Sequence, residues 1–181
     1  MKRVKLLEQL LSSIVLTLVI ASPAQATKTS VPIPTNSNRT CQEAVDFVSR
    51  ELTSKGAFIP FNTHVVPGGR VEPRVSIENG LNGSFSQYNR GYPTNRSQQV
   101  KFMLSGDADR LWLGVMSSPQ FLTTLASQIM ANCSQVGKVS YHHWFEGYVP
   151  VGYFSDGTAR AFSWVDYDDS RVDQWGYYYS P

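Results

Sequence analysis

Apolar residues recur at helical spacing in two segments of the chain. The first segment begins at a capping box, in which Thr40 and Glu43 are three residues apart, and it ends near Gly56. The second begins at Ser118-Pro119, a helix cap followed by proline at the first helical position. The apolar positions that share one side of each helix are Cys41, Ala44, Val45, Val48 and Leu52, and then Leu122, Leu125, Ala126, Ile129 and Cys133.

Elsewhere the apolar residues alternate with polar ones or form short runs, as in β-strands. We expect strands within residues 58–66, 71–77, 84–88, 100–104 and 139–149, and we assign the apolar run 111–116 to a strand against the core. Residues 149–166 predict a hairpin with Asp156-Gly157 as a two-residue loop, which places Val151 opposite Phe162. The predicted fold class is α+β, with two helices packed on an antiparallel sheet.

The N-terminus carries the pattern of an export signal. Residues 2–5 are mostly basic, residues 10–21 are mostly apolar, and Ala24-Gln25-Ala26 is a small-x-small cleavage triplet. Because an apolar run of about a dozen residues is too short to span roughly 30 Å of hydrocarbon, we interpret residues 1–26 as a signal peptide rather than an anchor. The mature protein then begins at Thr27 and is exported to the periplasm or the extracellular space.

The mature chain divides into a leader and one domain. Residues 27–39 are rich in Pro, Ser, Thr and Asn, a composition that buries little apolar surface, so we expect a flexible leader. Residues 40–181 then form a single α+β domain. Removal of residues 1–26 takes three basic residues and one acidic residue from the 16 basic and 14 acidic residues of the chain, which leaves equal numbers. This balance argues against nucleic acid or membrane as a partner after signal cleavage.

Cys41 and Cys133 are the 2 cysteines of the chain. Exported proteins meet an oxidising compartment, where an even number of thiols pairs. Both residues fall on the inward faces of predicted helices, so we predict one intramolecular disulfide that ties the two helices together. Neither cysteine belongs to a C-x-x-C motif, and we predict no metal site and no cofactor.

These features together resemble a known group. A helix that begins with a cap and a cysteine, a Ser-Pro helix that ends at Asn132-Cys133, and the segment Phe154-Ser155-Asp156-Gly157-Thr158 look like small secreted proteins of photosynthetic bacteria. The likeness covers the second half of the chain. It implies an envelope or extracellular location, and it implies no reaction and no functional residue, because the group has no assigned activity.

His142 and His143, with Glu146 nearby, are the candidates for catalysis or metal binding. Since neighbouring residues of a strand point to opposite faces, the two histidines should not act together. The acidic stretch 166–173 offers oxygen ligands to calcium, but the sixth and twelfth positions, counted from Asp166, are not the glycine and glutamate of an EF-hand. Calcium binding there stays an open alternative to a solvated acidic turn.

Aromatic residues crowd the C-terminal end beyond what one small core can hide. The candidate binding surface consists of Asp168, Asp169, Trp175, Tyr177, Tyr178 and Tyr179. Flat amphipathic rings make good contact surfaces for proteins and sugars. The sequence therefore favours a non-enzymatic, exported binding domain whose partner is an envelope or extracellular protein or a glycan. The alternative is an envelope hydrolase or metal-dependent enzyme that uses His142 or His143 with Glu146.

Overall fold

The computed structural model describes residues 29–36, 38–57, 63–65, 71–79, 95–106, 108–143, 147–162 and 165–166. The helices are α1 (Cys41–Ser54), α2 (Ala108–Leu111) and α3 (Pro119–Asn132), and a π-helical segment, Trp112–Met116, continues α2. The strands are β1 (Ser30–Pro32), β2 (Thr63–Val65), β3 (Val71–Pro73), β4 (Val75–Asn79), β5 (Gln98–Leu104), β6 (Val136–His143), β7 (Gly147–Tyr153), β8 (Thr158–Ala161) and β9 (Val165–Asp166). Among these residues, no helix is long and apolar enough to cross a membrane.

Helix α1 begins at the predicted capping box. The Thr40 hydroxyl accepts a hydrogen bond from the Glu43 backbone N–H at 3.2 Å, and the Glu43 carboxylate accepts one from the Thr40 backbone N–H at 2.7 Å. The bonds from the Thr40 backbone and side chain lower the pKa of Glu43, because they favour its ionised form. The helix ends before Gly56, whose φ of 89° is the left-handed conformation that glycine adopts most readily. The predicted start and end of this helix are therefore confirmed.

The α+β class is also correct, but the sheet is mixed rather than antiparallel. Its order is β1-β8-β7-β6-β5-β4, with β9 beside β7, and the pairing of β5 with β6 is parallel. The reason is the connection between these strands: α2, the π-helical segment and α3 form a crossover that returns the chain in its original direction. β2 and β3 form a separate two-stranded sheet.

The assignment of residues 111–116 to a strand is wrong, and the count of two helices was therefore too low. Leu111, Val115 and Met116 are buried while Leu113 and Gly114 are exposed, which is helical rather than alternating burial. A short apolar run has no period that separates a strand from a buried helical turn. The π-helical geometry of Trp112–Met116 adds to this ambiguity, because its side chains do not follow the 3.6-residue repeat.

The β7–β8 hairpin exists, but its register differs from the predicted one. Val151 lies opposite Ala161 rather than Phe162, because the loop has three residues, 155–157, instead of the two predicted. The Gly157 N–H donates to the Phe154 carbonyl at 2.9 Å, and Gly157 itself has φ 78°. A shift of one residue moves every side chain to the other face. Phe162 consequently packs near Phe154, with ring centroids 6.1 Å apart, away from the main core.

The expected flexible leader contains ordered structure. β1 pairs with β8, with Val31 opposite Ala159, and the Ile33 N–H donates to the Gly157 carbonyl at 3.0 Å. Ile33 also packs against the core. The Pro-rich composition of residues 27–39 predicted a flexible segment. A short edge strand such as β1, however, needs few backbone donors and tolerates proline.

The predicted disulfide joins the first residue of α1 to the residue that follows α3. Cys41 and Cys133 are bonded with their Cα atoms 4.8 Å apart, and they are 92 residues apart in the sequence. Arg96 binds the same end of α3: its Nη1 atom donates to the carbonyls of Met130 at 2.9 Å and Val136 at 2.8 Å. The disulfide and Arg96 thus fix α1 and the start of β6 to the C-terminal end of α3.

Loss of the disulfide should destabilise the protein strongly. Replacing Cys41 and Cys133 with serine removes a cross-link that closes a long loop, which is worth about 4–5 kcal/mol in the free energy of unfolding. We expect the melting temperature to fall by roughly 10–20 °C in thermal unfolding followed by circular dichroism. Reductant should lower the wild-type value equally and leave the double variant unchanged. A wild-type protein with two alkylatable thiols would contradict the bond itself.

Candidate functional site

The predicted C-terminal surface belongs to a part of the chain outside the described residues. Asp168, Asp169, Trp175 and Tyr177 to Tyr179 lie outside the described residues, as do Glu146 and most of the acidic stretch 166–173. They remain predictions from the sequence. The histidines, in contrast, lie on a described strand.

The two faces of β6 differ in chemistry. Val139 and Tyr141 face the helices and belong to the main core, where the Tyr141 hydroxyl donates to the Leu122 carbonyl of α3 at 3.0 Å. The opposite face of β6 carries Lys138, Ser140 and His142, which we call the polar row. All members of the polar row are buried. The period of two in Lys-x-Ser-x-His is the sequence signal for this row, and it becomes readable only once the strand is assigned.

Ser140 and His142 are in direct contact within the polar row. The Nε2 atom of His142 lies 2.8 Å from the Ser140 hydroxyl oxygen, and the imidazole stacks on the Tyr148 ring of β7 with centroids 4.6 Å apart. Only 1% of Ser140 and 6% of His142 are exposed. Residues two apart on a strand give no motif by which such a pair can be recognised in the sequence.

The surroundings of His142 favour its neutral form. Lys138 belongs to the same row, Lys101 on β5 lies opposite Ser140, and Met103 lies opposite His142 itself. Burial, and then the charges of Lys101 and Lys138, hold the pKa of His142 well below its ordinary value of 6.5. At neutral pH the imidazole is therefore an uncharged hydrogen-bonding group.

His143 lies on the other face of β6, as strand alternation predicts. Its ring contacts the Trp112 ring of the π-helical segment, with centroids 5.5 Å apart and planes inclined by 42°. The structure therefore separates the two candidate histidines rather than bringing them together. Within the described ranges, no three His, Cys, Asp or Glu side chains form a group that suits a metal ion.

The π-helical segment displays apolar surface beside His143. Leu113 is 75% exposed and Trp112 is half-buried, while Val115 and Met116 anchor the segment in the core. Among the described residues, no atom outside the segment itself lies within 4 Å of the position that a side chain at Gly114 would occupy. This surface could not be predicted once residues 111–116 were assigned to a strand.

Comparison with family models, with curated proteins and with solved structures yields no match for this chain.

His142 should make the stability of the protein depend on pH. Its pKa is lower in the folded than in the unfolded state, so the unfolded chain binds the proton first as the pH falls below 6.5. The free energy of unfolding should then decrease by up to about 2 kcal/mol between pH 7.5 and pH 5. Urea unfolding at a series of pH values measures this slope.

Matched variants assign the slope to one residue. His142→Gln should remove most of it, whereas His143→Gln should retain it because His142 is intact. Carboxylates such as Glu43 and Asp156, whose pKa values are lowered by their bonds to Thr40 and Thr158, contribute mainly below pH 5. A slope that survives in His142→Gln would show that other groups cause it.

Proposed function

We propose that the protein is an exported, non-enzymatic binding domain of the cell envelope or the extracellular space. The disulfide supports an oxidising compartment, and the N-terminal signal pattern supports export. The observation that carries the binding role is the display of Trp112 and Leu113 on the π-helical segment. The partner is a protein or a glycan.

The geometry of this segment fits a contact surface. π-Helical turns are rare, and they occur often at functional sites. Because Val115 and Met116 are buried, Leu113 is presented by a segment that the core holds in place. A surface held in this way loses little conformational entropy on binding. Tryptophan is also enriched among the residues that contribute most to protein interfaces.

The C-terminal aromatics form the second part of the proposed surface. Trp175 and Tyr177 to Tyr179 add rings that suit both proteins and sugars, and Asp168 and Asp169 add acceptors for sugar hydroxyls or basic side chains. The balanced charge of the mature chain gives no support to nucleic acid or membrane as the partner.

A hydrolase is the second candidate, and the contact between Ser140 and His142 is the observation that favours it. A neutral imidazole 2.8 Å from a serine hydroxyl is the arrangement of a general base and its nucleophile. The exposure of 1% at Ser140 favours a packing role instead, since a nucleophile has to reach its substrate. The contribution of His143 and Glu146 to such a site is a separate expectation from the sequence.

Partner capture should depend on Leu113. Leu113→Lys should leave the melting temperature within a few degrees, because the side chain is largely exposed, and should weaken capture at least about ten-fold, since a lysine cannot replace an apolar contact. The measurement is capture from an envelope extract and on a glycan panel with immobilised protein. The matched control is Ile77→Lys, at the other large apolar side chain that is exposed in the described part of the chain.

Deletion of residues 174–181 tests the C-terminal part of the surface in the same assay. We expect a melting temperature within a few degrees of the wild type together with weaker capture. A truncated protein that fails to fold would assign these aromatics to the core. Undiminished capture by both the deletion and Leu113→Lys would refute the proposed surface.

A fluorophosphonate probe tests the hydrolase. Under the binding proposal Ser140 should stay unlabelled at neutral pH, because it is buried and its hydroxyl is hydrogen-bonded to His142. Labelling that is mapped to Ser140 by peptide mass spectrometry, lost in His142→Gln and kept in His143→Gln, would instead establish the serine–histidine pair as reactive and replace the binding domain with an enzyme.

A further inference from the structure

The two edges of the large sheet differ in how they are protected. At one edge, β1 is only 3 residues long and contains Pro32, which has no backbone donor. At the other edge, β4 is 5 residues long, contains neither proline nor lysine, and pairs with β5 without a bulge. Natural proteins usually blunt exposed edges with such devices. β4 has neither the shortness of β1 nor a proline, its one charged side chain is Glu78, and no described strand lies on its outer side.

The hydrogen-bond pattern shows which groups of β4 point outward. The Met103 N–H donates to the Arg74 carbonyl at 2.7 Å, so these opposite residues form a hydrogen-bonded pair. In an antiparallel ladder such pairs alternate, which places Ser76 and Glu78 in the next pairs with β5. The backbone N–H and C=O groups of Val75, Ile77 and Asn79 therefore point away from the sheet.

The side chains along β4 suit the addition of a strand. Ile77 is 44% exposed at the centre of the edge. On the opposite face, the Glu78 carboxylate accepts hydrogen bonds from Ser76 at 2.7 Å and from Gln99 at 3.0 Å, so this charge is held within its own sheet.

We propose that β4 pairs antiparallel with β4 of a second copy of this chain, about a two-fold axis at Ile77. In this register Ile77 lies opposite its symmetry mate, and Val75 lies opposite Asn79 of the other copy. Every outward backbone group of the strand then finds a partner. The two sheets become one continuous sheet.

Self-complementarity favours a second copy over an unrelated strand. A two-fold interface has to be complementary to itself. At the centre, two exposed isoleucines cover each other, and Glu78 lies opposite Ser76 of the other copy rather than opposite a like charge. The donors and acceptors also match, because the same residues supply both sides.

Sedimentation velocity of the exported, oxidised protein over a concentration series tests the pairing. We expect a monomer–dimer equilibrium, and Ile77→Lys should shift it at least about ten-fold towards the monomer, since two lysines would meet on the axis. Leu113→Lys is the matched control and should leave the equilibrium unchanged. Because capture depends on Leu113 and dimerisation on Ile77, failure of either proposal is distinguishable from failure of the other.

A cross-linking variant keeps the test valid if Ile77→Lys fails to fold. Hydrogen-bonded antiparallel partners have Cα atoms about 5.5 Å apart, which a disulfide can bridge. Ile77→Cys should form a dimer on mild oxidation, and Leu113→Cys should not. A wild-type protein that stays monomeric throughout, a dimer that Ile77→Lys does not affect, or cross-linking equal at both positions would overturn the pairing. Binding of a foreign peptide strand by a monomer would do so as well.

Discussion

The C-terminal end of α3 joins the helix layer, the sheet and the disulfide, and the rest of the structure depends on this junction. Three carbonyls at and beyond the helix end, those of Met130, Cys133 and Val136, accept hydrogen bonds from one Arg96 nitrogen. The guanidinium also lies 3.7 Å from the centre of the Tyr153 ring, and burial lowers its pKa without removing its charge at neutral pH. A cation here also complements the helix dipole. With Cys133 bonded to Cys41, α1, α3 and β6 are fixed relative to one another.

That junction sets the character of the two sheet faces. The helices cover one face, and most of its described side chains are apolar. The Tyr141 hydroxyl on this face donates to a carbonyl of α3, and His143 contacts the Trp112 ring at the end of the strand. The opposite face of β6 carries the polar row, where Ser140 and His142 share a hydrogen bond and the His142 ring stacks on Tyr148. A buried polar group without a partner is costly, so the contact between Ser140 and His142 is first a requirement of burial. Reactivity would need more than the distance between them.

Features that depend on neighbouring residues were predicted correctly from the sequence. Strand pairing and register, which depend on tertiary contacts, were not. The capping box at Thr40, the Ser118-Pro119 start and the pairing of Cys41 with Cys133 each rest on a few neighbouring residues or on the redox compartment. The parallel pairing of β5 with β6 could not be predicted once 111–116 was assigned to a strand, because the crossover then disappeared. The hairpin register depended on one additional loop residue. In the candidate site, strand alternation correctly separated His142 from His143, but the rings that contact them, Tyr148 and Trp112, lie on other elements.

The location of the displayed segment follows from the same crossover. α2 leaves the carboxyl end of β5, and His143 ends the parallel neighbour β6, so Trp112 meets His143 where two parallel strands end together. Leu111 and Val115, which are buried, hold both sides of the π-helical turn in the core. The exposure of Leu113 is therefore a property of the fold, which is the condition that a binding surface has to meet.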